Sequence, residues 1–245
     1  MTLTLTNVTK SYGRQLVLDD VTVAFRPGVT ALLGVNGAGK TTLLRIAAGL
    51  LAPDSGAVAY SPPDERHNSP GGQQLVVGYA PQNTPTLRTL RVQGFLEYLG
   101  LLSGLSSRAA RLRAVGCGEN VGLGEHLNKR TTSLSGGMVK RLGIAAALLE
   151  QPDVLLLDEP TAGLDPLQRR DVLALVRALS AKTAVVLSTH LAEDVTSTAD
   201  RVVLLDHCEL RADVSLDDVR NGTPAAAEAA SLLSELGMHL MAGAR

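Results

Sequence analysis

Two stretches of the chain carry residue types suited to handling phosphate. The first is Gly34-Val35-Asn36-Gly37-Ala38-Gly39-Lys40-Thr41-Thr42. Glycines flanking a short spacer let backbone N–H groups turn inward around an anion, and a helix opening at Lys40 adds the partial positive charge of its N-terminus. In such a loop Gly34, Asn36, Gly37, Ala38, Gly39 and Thr42 surround the phosphates, Lys40 reaches the β- and γ-phosphates, and the Thr41 hydroxyl ligates Mg2+. The second stretch is Val154-Leu155-Leu156-Leu157-Asp158-Glu159-Pro160. Asp158, at the tip of a short apolar run, can hold the same Mg2+ directly or through water. Glu159 suits a different task, polarising the water that attacks the γ-phosphate. Either stretch alone could be a glycine-rich or an acidic turn. Together they point to nucleoside triphosphate hydrolysis.

The elements that must position these groups are legible from hydrophobic patterning. Residues 3–8 alternate as a half-buried strand does, and 16–25 read as another strand before a turn at Pro27-Gly28. Val29 to Leu33 is a compact apolar strand that runs straight into the glycine loop, and TLLRIAAGLL continues it as a helix. Pro53 to Gly56 reads as a turn, and 61–74, rich in Pro, Gly and polar residues, as an exposed loop. Residues 86–150 read as mostly helical. Three continuous apolar runs, 154–157, 184–188 and 202–205, suit strands covered on both faces. Asp165-Pro166 is a good helix start, with the helix running to about Ser180. The Ala-rich 221–245 carries no strand signal and reads as a helix with a frayed tail. Strands alternating with helices after a glycine loop imply an α/β fold with a mostly parallel sheet, into which the helix-rich middle is inserted.

Composition narrows the functions available. The chain has 245 residues and a formal net charge of −1, so no bulk electrostatic footprint points to nucleic acid or an anionic membrane surface. Its six aromatic residues (four Tyr, two Phe) leave few rings for stacking bases. Cys117 and Cys208 form no metal-ligand cluster and suit buried thiols in a reducing compartment. The N-terminal MTLTLTNVTKSYG has no basic segment followed by an apolar one, so no secretory signal is expected. No charge-free apolar run is long enough to span a membrane.

Further motifs occur in a particular order. Gln82 lies in Tyr79-Ala80-Pro81-Gln82; Leu134-Ser135-Gly136-Gly137 precedes the acidic strand by about twenty residues; Thr161-Ala162-Gly163-Leu164-Asp165 follows Pro160; and Ser188-Thr189-His190 closes the next strand. With Tyr12 in Lys10-Ser11-Tyr12-Gly13, this series resembles the ATP-binding subunit of an ABC transporter over about residues 3–212. The resemblance implies a P-loop NTPase core with an N-terminal antiparallel β subdomain and an inserted α-helical subdomain. The ATPase domain would cover 1–220, with the helical part at about 86–150 and a tail at 221–245. It further implies ATP and Mg2+ as cofactors, with Tyr12 stacked on adenine. Gln82 would sense Mg2+ or the attacking water, and His190 would contact the γ-phosphate. Ser135, Gly136 and Gly137 would meet the γ-phosphate of a second ATPase subunit, identical or related, and Asp165 would join the two.

By the same resemblance, a separate transmembrane permease subunit would hold the chain on the cytoplasmic face of the membrane. Phe95, Tyr98, Leu99, Leu101 and Leu102 would offer it an apolar stripe, and FLEYLGLLSGL is more similar to exporter-type subunits than to importer-type ones. A soluble mechanical ABC ATPase is the rival reading; the long coiled-coil insertion or second ATPase domain common in such proteins is not seen here. One departure stands out. Met138 occupies the place where the signature run usually has Gln, and a thioether cannot make an amide's hydrogen bonds.

Overall fold

A computed structural model describes residues 2–61, 75–221, 223 and 231. In chain order the elements are β1 (Thr2–Tyr12), β2 (Gln15–Phe25), β3 (Val29–Leu33), α1 (Lys40–Ala47), β4 (Ser55–Ser61) and β5 (Val77–Ala80). Then come α2 (Val92–Leu102), α3 (Ser107–Asn120), two single-turn 3₁₀ helices, α4 (Gly136–Ala147), β6 (Val154–Leu157), α5 (Pro166–Leu179) and β7 (Ala184–Thr189). The order closes with α6 (Ala192–Thr198), β8 (Arg201–Asp206), β9 (Glu209–Ser215) and α7 (Leu216–Asn221).

The strands form two sheets. A small antiparallel sheet has the order β2-β1-β4, and a six-stranded sheet has the order β5-β6-β7-β3-β8-β9. Pairing is parallel from β5 through β8, and only β9 runs antiparallel to its neighbour. The central strands are buried on both faces, and their two-residue side-chain period sorts them into two cores. Leu155, Leu157, Val185, Leu187, Val202 and Leu204 face one cluster, together with α2 to α6. Val154, Leu156, Val186, Val203 and Leu205 face the other, with Leu43, Leu44 and Ile46 of α1 and the apolar face of the small sheet. Helix α1 therefore lies between the two sheets. That explains why the apolar runs of the central strands are continuous rather than alternating.

Three strands departed from the patterning. Ser55 and Gly56, read as part of a turn, already belong to β4, which pairs with β1 from Ser55↔Thr9 to Ser61↔Thr2. The sequence SGAVAYS has little apolar alternation, and its neighbour supplies the order. β5 is only four residues long and is held by β6. β9, ELRADVS, is too charged to read as a strand; it is an edge strand on which Asp213 pairs with Arg201. Helix α5 starts as expected, with Asp165 Oδ1 accepting from Gln168 N at 2.9 Å. The loop expected over 61–74 lies outside the described residues after position 61. Most of the expected 221–245 tail lies outside them as well.

Candidate nucleotide site

Strand β3 delivers the chain into the glycine loop, and α1 leaves it at Lys40. Gly39 caps α1 with φ of 99° and ψ of 2°, a left-handed conformation that an L side chain rarely takes. A Cβ there would also lie 2.7 Å from Val17 O, so both backbone angle and space require glycine. Gly34 forms the floor of the loop, where a Cβ would run into Leu205 O.

Lys40 is buried and folds back over its own loop. Its Nζ donates to Gly34 O at 2.8 Å and Val35 O at 3.0 Å, and lies 3.7 Å from Glu159 Oε1. Burial pushes its pKa below the ordinary lysine value, while Glu159 and Asp158 pull the other way. Thr41 follows directly, with its hydroxyl donating to Asp158 Oδ1 at 3.0 Å. Asp158, 2% exposed, also accepts from Ser188 Oγ at 2.8 Å and from the Tyr79 hydroxyl at 3.3 Å. Burial first and Asp158 second push the Tyr79 phenol up, against the opposing Arg45.

Glu159 is the meeting point of the site. Its backbone has φ of 44°, a left-handed conformation unusual for glutamate. The Ser188 hydroxyl accepts from Glu159 N at 2.9 Å, and Glu159 O accepts from Ala162 N at 3.2 Å. The side chain then projects among three others. Gln82 Nε2 donates to its Oε2 at 3.1 Å, His190 Nδ1 lies 3.4 Å from Oε1, and Lys40 stands on the same oxygen. Lys140 Nζ, from α4, donates to Glu159 O at 3.1 Å and Gln82 O at 2.6 Å. Burial lowers the Lys140 pKa against the pull of Glu159 and Asp158.

A cleft of about 690 Å³ opens above these groups, and Tyr12, Asn36, Gly37, Gly39, Lys40, Thr41, Thr42, Gln82, Glu159 and His190 all line it. Tyr12, at the end of β1, is half exposed on the cleft wall. Ala38 and Gly34 belong to the loop without lining the cleft, and Asp158 lies beneath it. Ser135, Gly136 and Gly137 are not among the lining residues. Ser135 caps α4, with its hydroxyl accepting from Met138 N at 3.4 Å, and Ser135 and Gly136 are exposed. Asp165 caps α5 on the exposed surface as well. Met138 is partly buried and turned into the main core, which an apolar thioether suits better than an amide.

The pairing of Thr41 with Asp158 suits Mg2+, a hard cation that takes oxygen ligands and retains water or phosphate oxygens in its shell. Among the described residues, no group of three or more His, Cys, Asp or Glu side chains is placed to hold a metal. An ion at Thr41 and Asp158 would thus complete its shell with phosphate and water, as a nucleotide site requires.

Several residues of the site had no role in the sequence reading. Ser188 and Tyr79 sit inside motifs whose other members drew the assignment. Asp194, fully buried, accepts from Thr161 Oγ1 at 2.7 Å, Thr189 Oγ1 at 2.8 Å and Arg169 Nε at 2.5 Å. It ties the segment after Glu159 to the one before His190. Its signal, the second of two adjacent acids in the first turn of α6, looks like any solvated helix residue.

Comparison with known proteins matches this architecture. The model of the ABC transporter family matches residues 18–162. The uncharacterized ABC transporter ATP-binding protein YxlF of Bacillus subtilis (strain 168) is 38% identical over 212 residues, covering 85% of this chain and 69% of that one. The daunorubicin resistance ATP-binding protein DrrA3 of Streptomyces coeruleorubidus is 38% identical over 224 residues, covering 90% and 70%. The zinc import ATP-binding protein ZnuC of Pseudomonas syringae pv. syringae (strain B728a) is 36% identical over 205 residues, covering 82% and 72%. Among solved structures, a dimeric post-hydrolysis state of the ATP-binding cassette MJ0796, bound to ADP and Pi, superposes with a TM-score of 0.73 at 25% identity. That match covers 87% of this chain and 98% of the other. The chain belongs to the family of ATP-binding subunits of ABC transporters.

Proposed function

We propose that the chain hydrolyses ATP and powers movement of a substrate through a separate membrane permease, in the export direction. The observation that carries hydrolysis is the Glu159 carboxylate, held by Gln82, His190 and Lys40 above the Thr41–Asp158 pair. Glu159 polarises the attacking water and takes its proton. Lys40 exchanges the carbonyls of its own loop for the β- and γ-phosphates, and the loop N–H groups bind the phosphate oxygens. Gln82 and His190 orient water and γ-phosphate from either side of Glu159, and Tyr12 packs on the adenine ring. Thr41 and Asp158, with Gln82, would hold Mg2+, which would supply neutralisation of phosphate charge.

Ser135, Gly136 and Gly137 lie outside this cleft at a helix N-terminus, where Ser135 and Gly136 are exposed and Gly137 is buried. In this reading they serve the ATP of a second ATPase subunit, a copy of this chain or a related one, and Asp165 contributes to the joint. The dimeric form of the MJ0796 cassette supports such a pairing. The ATPase domain spans 1–220, with its helical part at about 86–150. No helix among the described residues is long and apolar enough to cross a membrane. A groove of about 530 Å³ beside Gln82, lined by Tyr79, Pro81, Phe95, Tyr98, Leu99 and Leu102, would seat a segment of the permease on the cytoplasmic side. Similarity to a daunorubicin resistance protein supports export, although ZnuC is named for import.

The test compares ATP turnover by the full-length chain and by Glu159→Gln, each with and without the membrane partner. The wild type should turn over only with Mg2+. The variant should be slower by about a hundredfold or more and accumulate as an ATP-bound dimer. A wild type silent under both conditions would end the hydrolysis reading. Drug efflux that is unchanged when the gene is deleted would end the export reading.

A further inference from the structure

Helix α4 meets the nucleotide site at a point the site chemistry does not itself use. Lys140 is partly buried, and two of its three donors go to main-chain carbonyls: Gln82 O at 2.6 Å and Glu159 O at 3.1 Å. These carbonyls belong to the two residues whose side chains meet, Gln82 Nε2 on Glu159 Oε2 at 3.1 Å. They come from different parts of the chain, one from the segment after β5 and the other from the end of β6. A single ammonium therefore fixes the backbones behind one side-chain contact. At Glu159 it does so where the backbone is least able to hold itself, with φ of 44°.

The rest of the same helix face is seated too closely to slide. Lys140, Gly143 and Ala147 recur at helical spacing along one side of α4. A Cβ on Gly143 would run into Thr84 Oγ1, two residues beyond Gln82, and Ala147 O would block a Cβ on Gly78 of β5. The helix begins at Ser135–Gly137, only about one turn, or roughly 6 Å, before Lys140. A displacement of the capped end thus reaches the two carbonyls through one rigid element.

We infer that Lys140 is a positioning residue: its ammonium sets Gln82 and Glu159 in register with each other and makes that register depend on the placement of α4. This inference rests on the hydrolytic reading of the site. Lys140 touches no reacting atom in it. Losing the clamp lowers the rate of the chemical step and leaves nucleotide binding, which uses the glycine loop, almost untouched.

The experiment compares the full-length wild type with Lys140→Met and Lys140→Arg. Expected is a kcat for Lys140→Met lower by at least about tenfold with KM within about threefold, and recovery in Lys140→Arg to within about threefold of wild type. A structural tether alone would lower the melting temperature without splitting kcat from KM. An unchanged kcat in Lys140→Met, or an Arg variant no better than Met, overturns the proposal. If Lys140→Met does not fold, Lys140→Gln, with one amide for two carbonyls, takes its place. Its kcat should fall at least about threefold, and wild-type turnover overturns the proposal. Crystal structures with ADP supply a readout independent of turnover. The contact between Gln82 Nε2 and Glu159 Oε2 should be lost in the substituted protein and kept in the wild type. An intact contact overturns the role of Lys140; a wild type without turnover sinks the hydrolysis reading instead, and the crystal structures then decide Lys140 alone.

Discussion

Replacing Ser188 by Ala removes one oxygen from the floor of the site. Ser188 is fully buried, and its hydroxyl serves two neighbours at once. It donates to Asp158 Oδ1 at 2.8 Å and accepts from Glu159 N at 2.9 Å. The two losses are unequal. Asp158 still has the Thr41 and Tyr79 hydroxyls, whereas the Glu159 N–H is left without its partner. An unpaired buried donor costs about 1–3 kcal/mol, and a lost bond to a carboxylate that keeps other donors adds about 1 kcal/mol. The expected loss is about 2–4 kcal/mol, which for a chain of this size lowers the melting temperature by about 4–16 °C. Activity should fall as well, by at least about tenfold in kcat, because freeing that N–H lets the left-handed Glu159 backbone relax and carries its carboxylate off the attacking water. Thermal melts and steady-state turnover measure both effects. Ser188→Cys, which keeps a weak donor in a somewhat larger side chain, should fall between wild type and Ala. A melting temperature within about 2 °C of wild type, with kcat within about twofold, would refute the reasoning.

Two more substitutions test other parts of the account. Met138→Gln should change turnover by less than about tenfold, because the cap of α4 is made by Ser135 Oγ and a backbone N–H. It should also cost about 1 kcal/mol of stability in urea melts, since an amide would replace a thioether against the core; a hundredfold change in kcat would contradict this. Burial pushes the Cys117 thiol above its ordinary value of 9.0. The folded protein then keeps a proton that the unfolded chain loses, so this contribution is full below 9.0 and is lost as pH rises toward the folded value. The stability of wild type relative to Cys117→Ala should therefore shrink between about pH 8 and pH 10, and a constant difference would show the thiol is not held protonated.

How far the sequence carried depended on where each signal resided. The central strands were legible because burial on both faces demands unbroken apolar runs, as in Val154–Leu157 and Ala184–Leu187. The glycine loop was legible because backbone angle and space at Gly39 exclude other residues. β4 and β9 were not, since edge position and pairing with β1 and β8 support strands whose own composition is indifferent. In the site, Lys40 and Glu159, which would act through a side chain aimed at substrate, stood out by type and setting, whereas His190 stood out only through its place in the family's motif order. Residues that hold other protein groups did not stand out. Ser188, Asp194 and Lys140 make ordinary bonds to a carboxylate, hydroxyls and carbonyls, and only the fold brings Asp158, Thr161, Gln82 and Glu159 from distant positions to within 3.2 Å of them.

The scarcity of aromatic rings, which at first only argued against base-stacking surfaces, gains meaning from where the rings lie. Of six, Phe25 and Phe95 are buried in the cores and Tyr60 is half exposed on the small sheet. Tyr12 stands on the nucleotide cleft, and Tyr79, Phe95 and Tyr98 line one groove. Leu, Val, Ile and Ala suffice to fill a core, so rings are not needed for packing. A ring adds a large rigid contact area at small entropic cost, an advantage at surfaces that bind. Tyr79 lies on both sides of the boundary: its ring lines the groove while its hydroxyl reaches Asp158. A segment seated in the groove would press on a residue bonded to the Asp158 carboxylate, and Thr84 and Gly143 line the same groove next to Lys140. Groove, clamp and cleft thus share β5 and α4 as one mechanical unit. On this arrangement a permease segment docked in the groove and a nucleotide held at the capped end of α4 would act on the same two residues, Gln82 and Glu159.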